Sequence, residues 1–178
     1  MAVFAVFGVA HASTVPHHLT PHTLNTAYCY KVTNVGDGGL LWFNGSTQTW
    51  QTKTVASGHW TGICPSAADG NGSQEFEDQN SGTQCMNYYD SGTLGNDIVS
   101  ELLCNGHNYE YFNFYAAGDG NSIVSNEWVT ANGPSCSGGF INVMSSTGVT
   151  GSNVTFNCPR PNGTVYGNQE WSETPITK

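Results

Sequence analysis

Positive charge is nearly missing from this chain. Lys and Arg number 4 against 13 Asp and Glu in 178 residues, a formal charge of −9. That balance leaves no electrostatic footprint for a phosphate backbone, so nucleic acid is not an expected partner. Anionic membrane surfaces are disfavoured for the same reason. Long hydrophobic runs are missing too. No stretch approaches the roughly 18 apolar residues a membrane helix needs, and no membrane insertion is expected. From Tyr28 onward there is no 3.6-residue apolar stripe of ten or more residues, so a helical core is not expected either. Leu, Ile, Val and Phe together supply only 34 residues, near the composition at which folding becomes doubtful. Thirteen Trp and Tyr side chains and six Cys offset that shortage. The balance points to a small-core, loop-rich, covalently cross-linked fold.

Catalytic signatures are also missing. The chain has no Gly-x-Ser-x-Gly, no His-Glu-x-x-His and no phosphate-cradling Gly loop. Its acids show no spacing that selects a glycosidase pair. Glu75, Glu77 and Asp78 form a local acidic cluster, which reads as a solvated loop face. The expectation is a non-enzyme with no cofactor and no metal.

Residues 1–12, MAVFAVFGVAHA, are apolar and end in the small-x-small triplet Ala10-His11-Ala12. They read as the remnant of a secretory signal, and an even cysteine count fits the same oxidising, extracellular setting. Residues 13–23 hold Pro16, Pro21, His17, His18 and His22 without apolar periodicity, and read as an extended, solvated leader. The alternative is a metal site that uses these imidazoles or His11. Four Asn-x-Ser/Thr sequons begin at Asn44, Asn71, Asn153 and Asn162. A chain this rich in Asn, Gly, Ser and Thr produces some by chance.

From residue 24 the chain reads as one all-β domain. Short apolar or alternating runs occupy 28–32, 40–43, 85–89, 98–104, 109–115, 140–144 and 154–158. Gly/Asn clusters separate them, as in Asn34-Val-Gly-Asp-Gly-Gly and Asp119-Gly-Asn. Many short strands with regular punctuation indicate a sandwich or barrel.

Repetition is the informative signal. Cys29, Cys85 and Cys136 each precede a short strand. Cys64, Cys104 and Cys158 each open a turn leading to a Gln/Glu-x-aromatic triplet: Gln74-Glu75-Phe76, Glu110-Tyr111-Phe112 and Gln169-Glu170-Trp171. In these features the chain resembles the ricin B-type lectin family, whose repeats run from a Cys-x-Asp-Val start through a second Cys to a Gln-x-Trp close. The resemblance implies a β-trefoil of three repeats, at about 24–78, 79–126 and 127–176, with pseudo-threefold symmetry. It implies bridges within repeats: Cys29–Cys64, Cys85–Cys104 and Cys136–Cys158, one of the 15 pairings six cysteines allow. It places Phe76, Phe112 and Trp171 in the shared core, with the preceding Gln or Glu turned onto backbone groups of its own unit. The long first Cys–Cys separation calls for an insertion at about 44–56.

The resemblance also implies a shallow sugar site, with a ring stacked on the sugar and polar groups forked onto its hydroxyls. The third repeat matches best. Asn142 stands at the Asp position, Phe156 lies two residues before Cys158, and Asn168-Gln169 forms the amide pair. Asn142 is a neutral amide where a carboxylate is usual, so weaker binding or an altered preference follows. In the second repeat Leu102 replaces the ring; in the first Lys31 and Gly62 depart from the pattern. The expected function is that of a secreted, monomeric carbohydrate-binding trefoil with glycans as partners. The alternatives are a trefoil binding or inhibitor protein that has lost sugar binding, or a His-dependent metalloenzyme.

Overall fold

Val-, Tyr- and Thr-rich runs alternate inward and outward along their length, and Gly/Asn turns divide them, so the chain folds into short antiparallel strands. A computed structural model describes residues 21–89, 98–125, 136, 143–162 and 164–178. Among the described residues there are twelve strands. They are β1 (Cys29–Asn34), β2 (Leu40–Asn44), β3 (Thr49–Lys53), β4 (Ile63–Pro65), β5 (Gln74–Asp78), β6 (Gln84–Tyr89), β7 (Ile98–Leu103), β8 (Tyr111–Ala117), β9 (Gly120–Ser125), β10 (Val143–Ser145), β11 (Thr155–Asn157) and β12 (Trp171–Ile176).

Six of these strands close a ring. β1 pairs with β12, β12 with β9, β9 with β8, β8 with β5, β5 with β4, and β4 with β1 again. Closure removes the exposed edges of this sheet. The other six form three hairpins, β2–β3, β6–β7 and β10–β11. They meet through Thr49↔Ser100, Ile98↔Thr155 and Gln51↔Asn153. A six-stranded barrel capped by three hairpins is a β-trefoil, made of β1–β4, β5–β8 and β9–β12.

The register repeats with the threefold. Tyr30↔Ile63, Gln74↔Phe112 and Asn121↔Trp171 are equivalent pairs. So are Ile63↔Asp78, Phe112↔Ser125 and Trp171↔Asn34. Ile63, Phe112 and Trp171 are therefore symmetry mates, and all are within 1% of full burial. The Trp171 indole N–H donates to the Met144 carbonyl at 2.9 Å.

This register corrects the first repeat. Phe76 is a core residue as expected, at 1% exposure, but it lies on β5 and is equivalent to Val32 and Ile123. Thr61-Gly62-Ile63 stands where the other two units have their closing triplet. Nor is there an insertion at 44–56. That segment is the first unit's own cap hairpin, with Trp50 fully buried. In–out alternation marks β1, β5 and β11 alike, so apolar spacing alone cannot tell which strand of a repeat a triplet begins.

The three bridges pair as expected: Cys29–Cys64, Cys85–Cys104 and Cys136–Cys158. Their placement is not threefold. Cys29–Cys64 ties barrel strands β1 and β4 and so encloses the whole β2–β3 hairpin, which explains its separation of 35 residues against 19 and 22. Cys85–Cys104 clips the cap hairpin of its own unit.

The end of the leader is not loose. His22 N–H donates to the Phe114 carbonyl at 3.0 Å, and its ring packs edge-on against Phe114. Leu24 is buried, and Gln74 brackets its backbone, accepting from Leu24 N–H at 2.6 Å and donating to its carbonyl at 2.9 Å.

Candidate functional site

The closing triplets hold the turns of the second and third units. In each, a 3-10 turn, Asn108–Glu110 or Gly167–Gln169, enters the last barrel strand. Glu110 is fully buried and its Oε2 accepts from Asn105, Gly106 and His107 N–H groups at 2.9, 2.9 and 3.3 Å. Gln169 accepts from Tyr166 N–H at 3.0 Å and donates to the carbonyls of Cys158 and Asn157 at 3.0 and 3.4 Å. Each polar end thus satisfies backbone groups of its own unit that would otherwise be orphaned.

That commitment bears on the sugar site expected in the third unit. Phe156 is 0% exposed, stacked on Phe112 and edge-on to Tyr88, so no ring face is open to a sugar. Gln169 is 2% exposed and spends its amide on backbone. Asn168 is half-buried and donates to the Ser146 carbonyl at 2.7 Å. Asn142 lies outside the described residues. Phe156 and Gln169 are therefore packing and turn-holding residues. Position relative to Cys158 located Phe156 on the right strand, but the core claims the inward side of β11.

The same contacts build a different surface. Asn168 holds Ser146, and the Ser146 hydroxyl donates to Asp37 Oδ2. Asp37 sits in the β1–β2 turn, where its Oδ1 accepts from Gly39 N–H at 2.7 Å and Asn34 Oδ1 accepts from its own N–H at 3.1 Å. The carboxylate is thereby held in place. It forms one wall of a groove of about 220 Å3 between the first and third units, with Thr52, Lys53, Thr54, Val55 and Thr150 around it. The Lys53 ammonium lies 4.5 Å from the Trp42 ring centroid, and the His59 ring lies 5.9 Å from Trp42 on a tilted plane. A fixed carboxylate, an ammonium and several hydroxyls around an open groove can fork onto a polyhydroxylated ligand. In sequence Asp37 carries no motif of its own, because Asn34-Val-Gly-Asp-Gly-Gly has the composition of an ordinary turn. The available signal was an acid inside a Gly-rich turn, with one of four cations a strand away.

A larger cavity, about 370 Å3, lies between the first and second units, lined by Thr26, Ser66, Glu75, Glu77, Lys178 and the Cys104 end of a disulfide. Among the described residues no group of three or more His, Cys, Asp or Glu could hold a metal. His22 is exposed, with its ring edge against Phe114, and the loss of hydration on that side lowers its pKa. His11, His17 and His18 lie outside the described residues. No helix among the described residues is long and apolar enough to cross a membrane.

No family model matches the sequence, and no curated protein matches it. Solved structures do. A designed threefold-symmetric protein, ThreeFoil, superposes with a TM-score of 0.58 at 13% identity, over 83% of this chain and 99% of that one. An exo-beta-1,3-galactanase from Clostridium thermocellum matches at 0.62 and 16% identity, over 87% of this chain. An endo-beta-galactosidase from Clostridium perfringens that releases GlcNAc-alpha-1,4-Gal matches at 0.61 and 10% identity, over 84% of this chain. This chain spans only 31% and 32% of those two enzymes. At such identities the likeness establishes the fold, and the chain is an all-β, disulfide-bridged trefoil of three pseudo-symmetric units.

Proposed function

We propose that this protein is a carbohydrate-binding β-trefoil that acts without catalysis, outside the reducing interior of the cell. The observation that carries the reading is the groove between the first and third units, where Asp37 is pinned by Gly39 and Ser146 and Lys53 lines the same groove. An ionised acceptor of that kind binds a sugar diol about twice as strongly as a neutral amide does. The groove thus supplies the carboxylate that the third-unit pattern lacked at Asn142. Asn168 takes a positioning role, through Ser146. Two of the similar structures are enzymes that act on galactose-containing glycans, of which the matching part is about a third. Three disulfides fit an oxidising compartment.

A glycan array weighted toward β-galactans and galactosides tests the reading. Wild type is expected to bind a defined subset. Asp37→Ala and Lys53→Met are each expected to weaken that binding at least tenfold, the loss of a charge-assisted contact, Lys53→Met with unchanged thermal unfolding and Asp37→Ala with only the modest fall that losing its bonds to Gly39 and Ser146 brings. Absence of wild-type binding to any glycan removes the sugar-binding reading. Binding that survives both substitutions removes the groove. Release of reducing ends from a bound glycan would remove the non-catalytic part.

A further inference from the structure

In the second unit two acids sit where the other units have none paired. Glu75 on β5 lies beside Glu110, which ends the 3-10 turn entering β8. By the threefold register the matching places hold Lys31 with Thr61 and Ser122 with Gln169. One backbone donor serves both acids: Gly106 N–H is 2.9 Å from Glu110 Oε2 and 3.1 Å from Glu75 Oε1. Two carboxylates converging on a single N–H lie close enough to repel strongly when both are charged. Glu110 Oε2 already has three backbone donors, but Glu110 Oε1 is closed to solvent and has no donor. A buried carboxylate oxygen without a donor is costly.

Among the described residues no cation pairs with either acid. Asp69 in the turn before β5 and Glu77 further along β5 add negative charge. Lys178 lines the same cavity as Glu75, but its ammonium donates to the Thr26 carbonyl at 2.9 Å. The His107 ring packs on Tyr109 with centroids 5.0 Å apart. The Tyr111 phenol, across from Glu75, has its pKa raised by burial first and then by Glu75, Asp69 and Glu110.

We propose that Glu75 and Glu110 share one proton, carried by Glu75 and donated to Glu110 Oε1, and that this proton is a pH-released clasp fastening β5 to the Asn105–Gly106–His107 turn. The proton turns like-charge repulsion into a short hydrogen bond and gives the orphaned oxygen its donor. When it leaves, Glu75 ionises, is repelled by Glu110 and turns toward the cavity that it already lines together with Lys178. Burial first, then the hydrogen bond and charge of Glu110, raise the Glu75 pKa above its ordinary value, which is the direction the clasp requires. The clasp is therefore closed in acid and opens as pH rises through that elevated value. It does not depend on sugar binding.

Carboxyl-carbon NMR titration of the full chain, with amide hydrogen exchange, tests this. Glu75 is expected to titrate above an ordinary glutamate, and to return toward the ordinary range in Glu110→Gln, whose amide can donate to an ionised Glu75. Protection of the Gly106 amide, corrected for intrinsic exchange, is expected to fall about tenfold as pH rises through that midpoint, the equivalent of one pKa unit. In Glu75→Gln the amide donates permanently, and that protection is expected to become independent of pH. A Glu75 that titrates normally in wild type overturns the proposal, as does a Gly106 protection profile identical in wild type and Glu75→Gln.

Discussion

Single side chains in this protein are held by what they touch inside, more than by what they offer outside. Phe156 packs on Phe112 and Tyr88 at zero exposure. Phe156→Ala is expected to cost about 3–5 kcal/mol in urea unfolding. Asp37→Ala, at the groove, should cost less, about 1–2 kcal/mol, for its lost bonds to Gly39 and Ser146. Glu173 has the clearest individual pH signature. It sits on β12, where the equivalent position of β8 is the buried Phe114. Burial pushes its pKa up to about 7, against the opposing hydrogen bond from Asn121 at 2.6 Å. A folded-state pKa above the unfolded one means that folding favours the protonated form. The contribution is whole below the ordinary carboxylate range and is lost as pH rises through about 7. Wild-type urea midpoints are expected to drop between mildly acidic and mildly alkaline buffer. Glu173→Gln should remove a large part of that drop, and an unchanged slope in the variant would show that the drop arises elsewhere.

Among the elements, the hairpins depend on turn chemistry and bridges. β8 and β9 are joined by Gly118-Asp119, and Gly118 has φ 54°, a left-handed conformation that costs other residues about 1–2 kcal/mol. A Cβ at Gly118 would also stand 2.6 Å from a Glu170 carboxylate oxygen. Gly118→Ala should therefore lower Tm, and Glu170→Ala in the same chain should recover part of the loss. The Cys85–Cys104 bridge closes a short loop within one hairpin, and Cys104 is exposed. Replacing both with Ser is expected to cost about 3 kcal/mol in the chain-entropy model. For a chain of this length that is roughly a 6–12 °C fall in Tm by calorimetry. The other two bridges should remain intact by peptide mapping.

At the scale of the whole molecule, closure of the barrel depends on the two ends of the domain meeting. β1 and β12 pair over six residues, Cys29↔Ile176 through Asn34↔Trp171. The segment 66–73 lies between two units, after β4 and before β5, and its tip is exposed. A circular permutant that links residue 178 to residue 24 by a short Gly-Ser segment and opens between Asn71 and Gly72 should keep all three bridges. Its Tm should stay within a few degrees of the parent. The same chain cut inside β12 should not fold, because every barrel strand needs both neighbours.

The all-β class was legible in the residues themselves; the three bridges and the burial of Phe76, Phe112 and Trp171 were implied by the family resemblance. Cysteine context, turn residues and alternating apolar positions are local signals, and local signals survive in one dimension. The phase of the threefold was not legible. Gln74-Glu75-Phe76 carries the same letters as the other triplets yet begins a different strand of the repeat, while the true mate of Phe112 and Trp171 is Ile63, which carries no signature. Only hydrogen-bond register between distant strands separates the two cases, because the two faces of every strand alternate with the same period of two residues. The site was decided the same way. Phe156 has the right spacing from Cys158 but faces inward, and Asp37 meets Ser146 only because the barrel brings residues 109 apart in sequence into contact. Chemistry can be read from composition; which atoms share a groove is set by closure of the sheet.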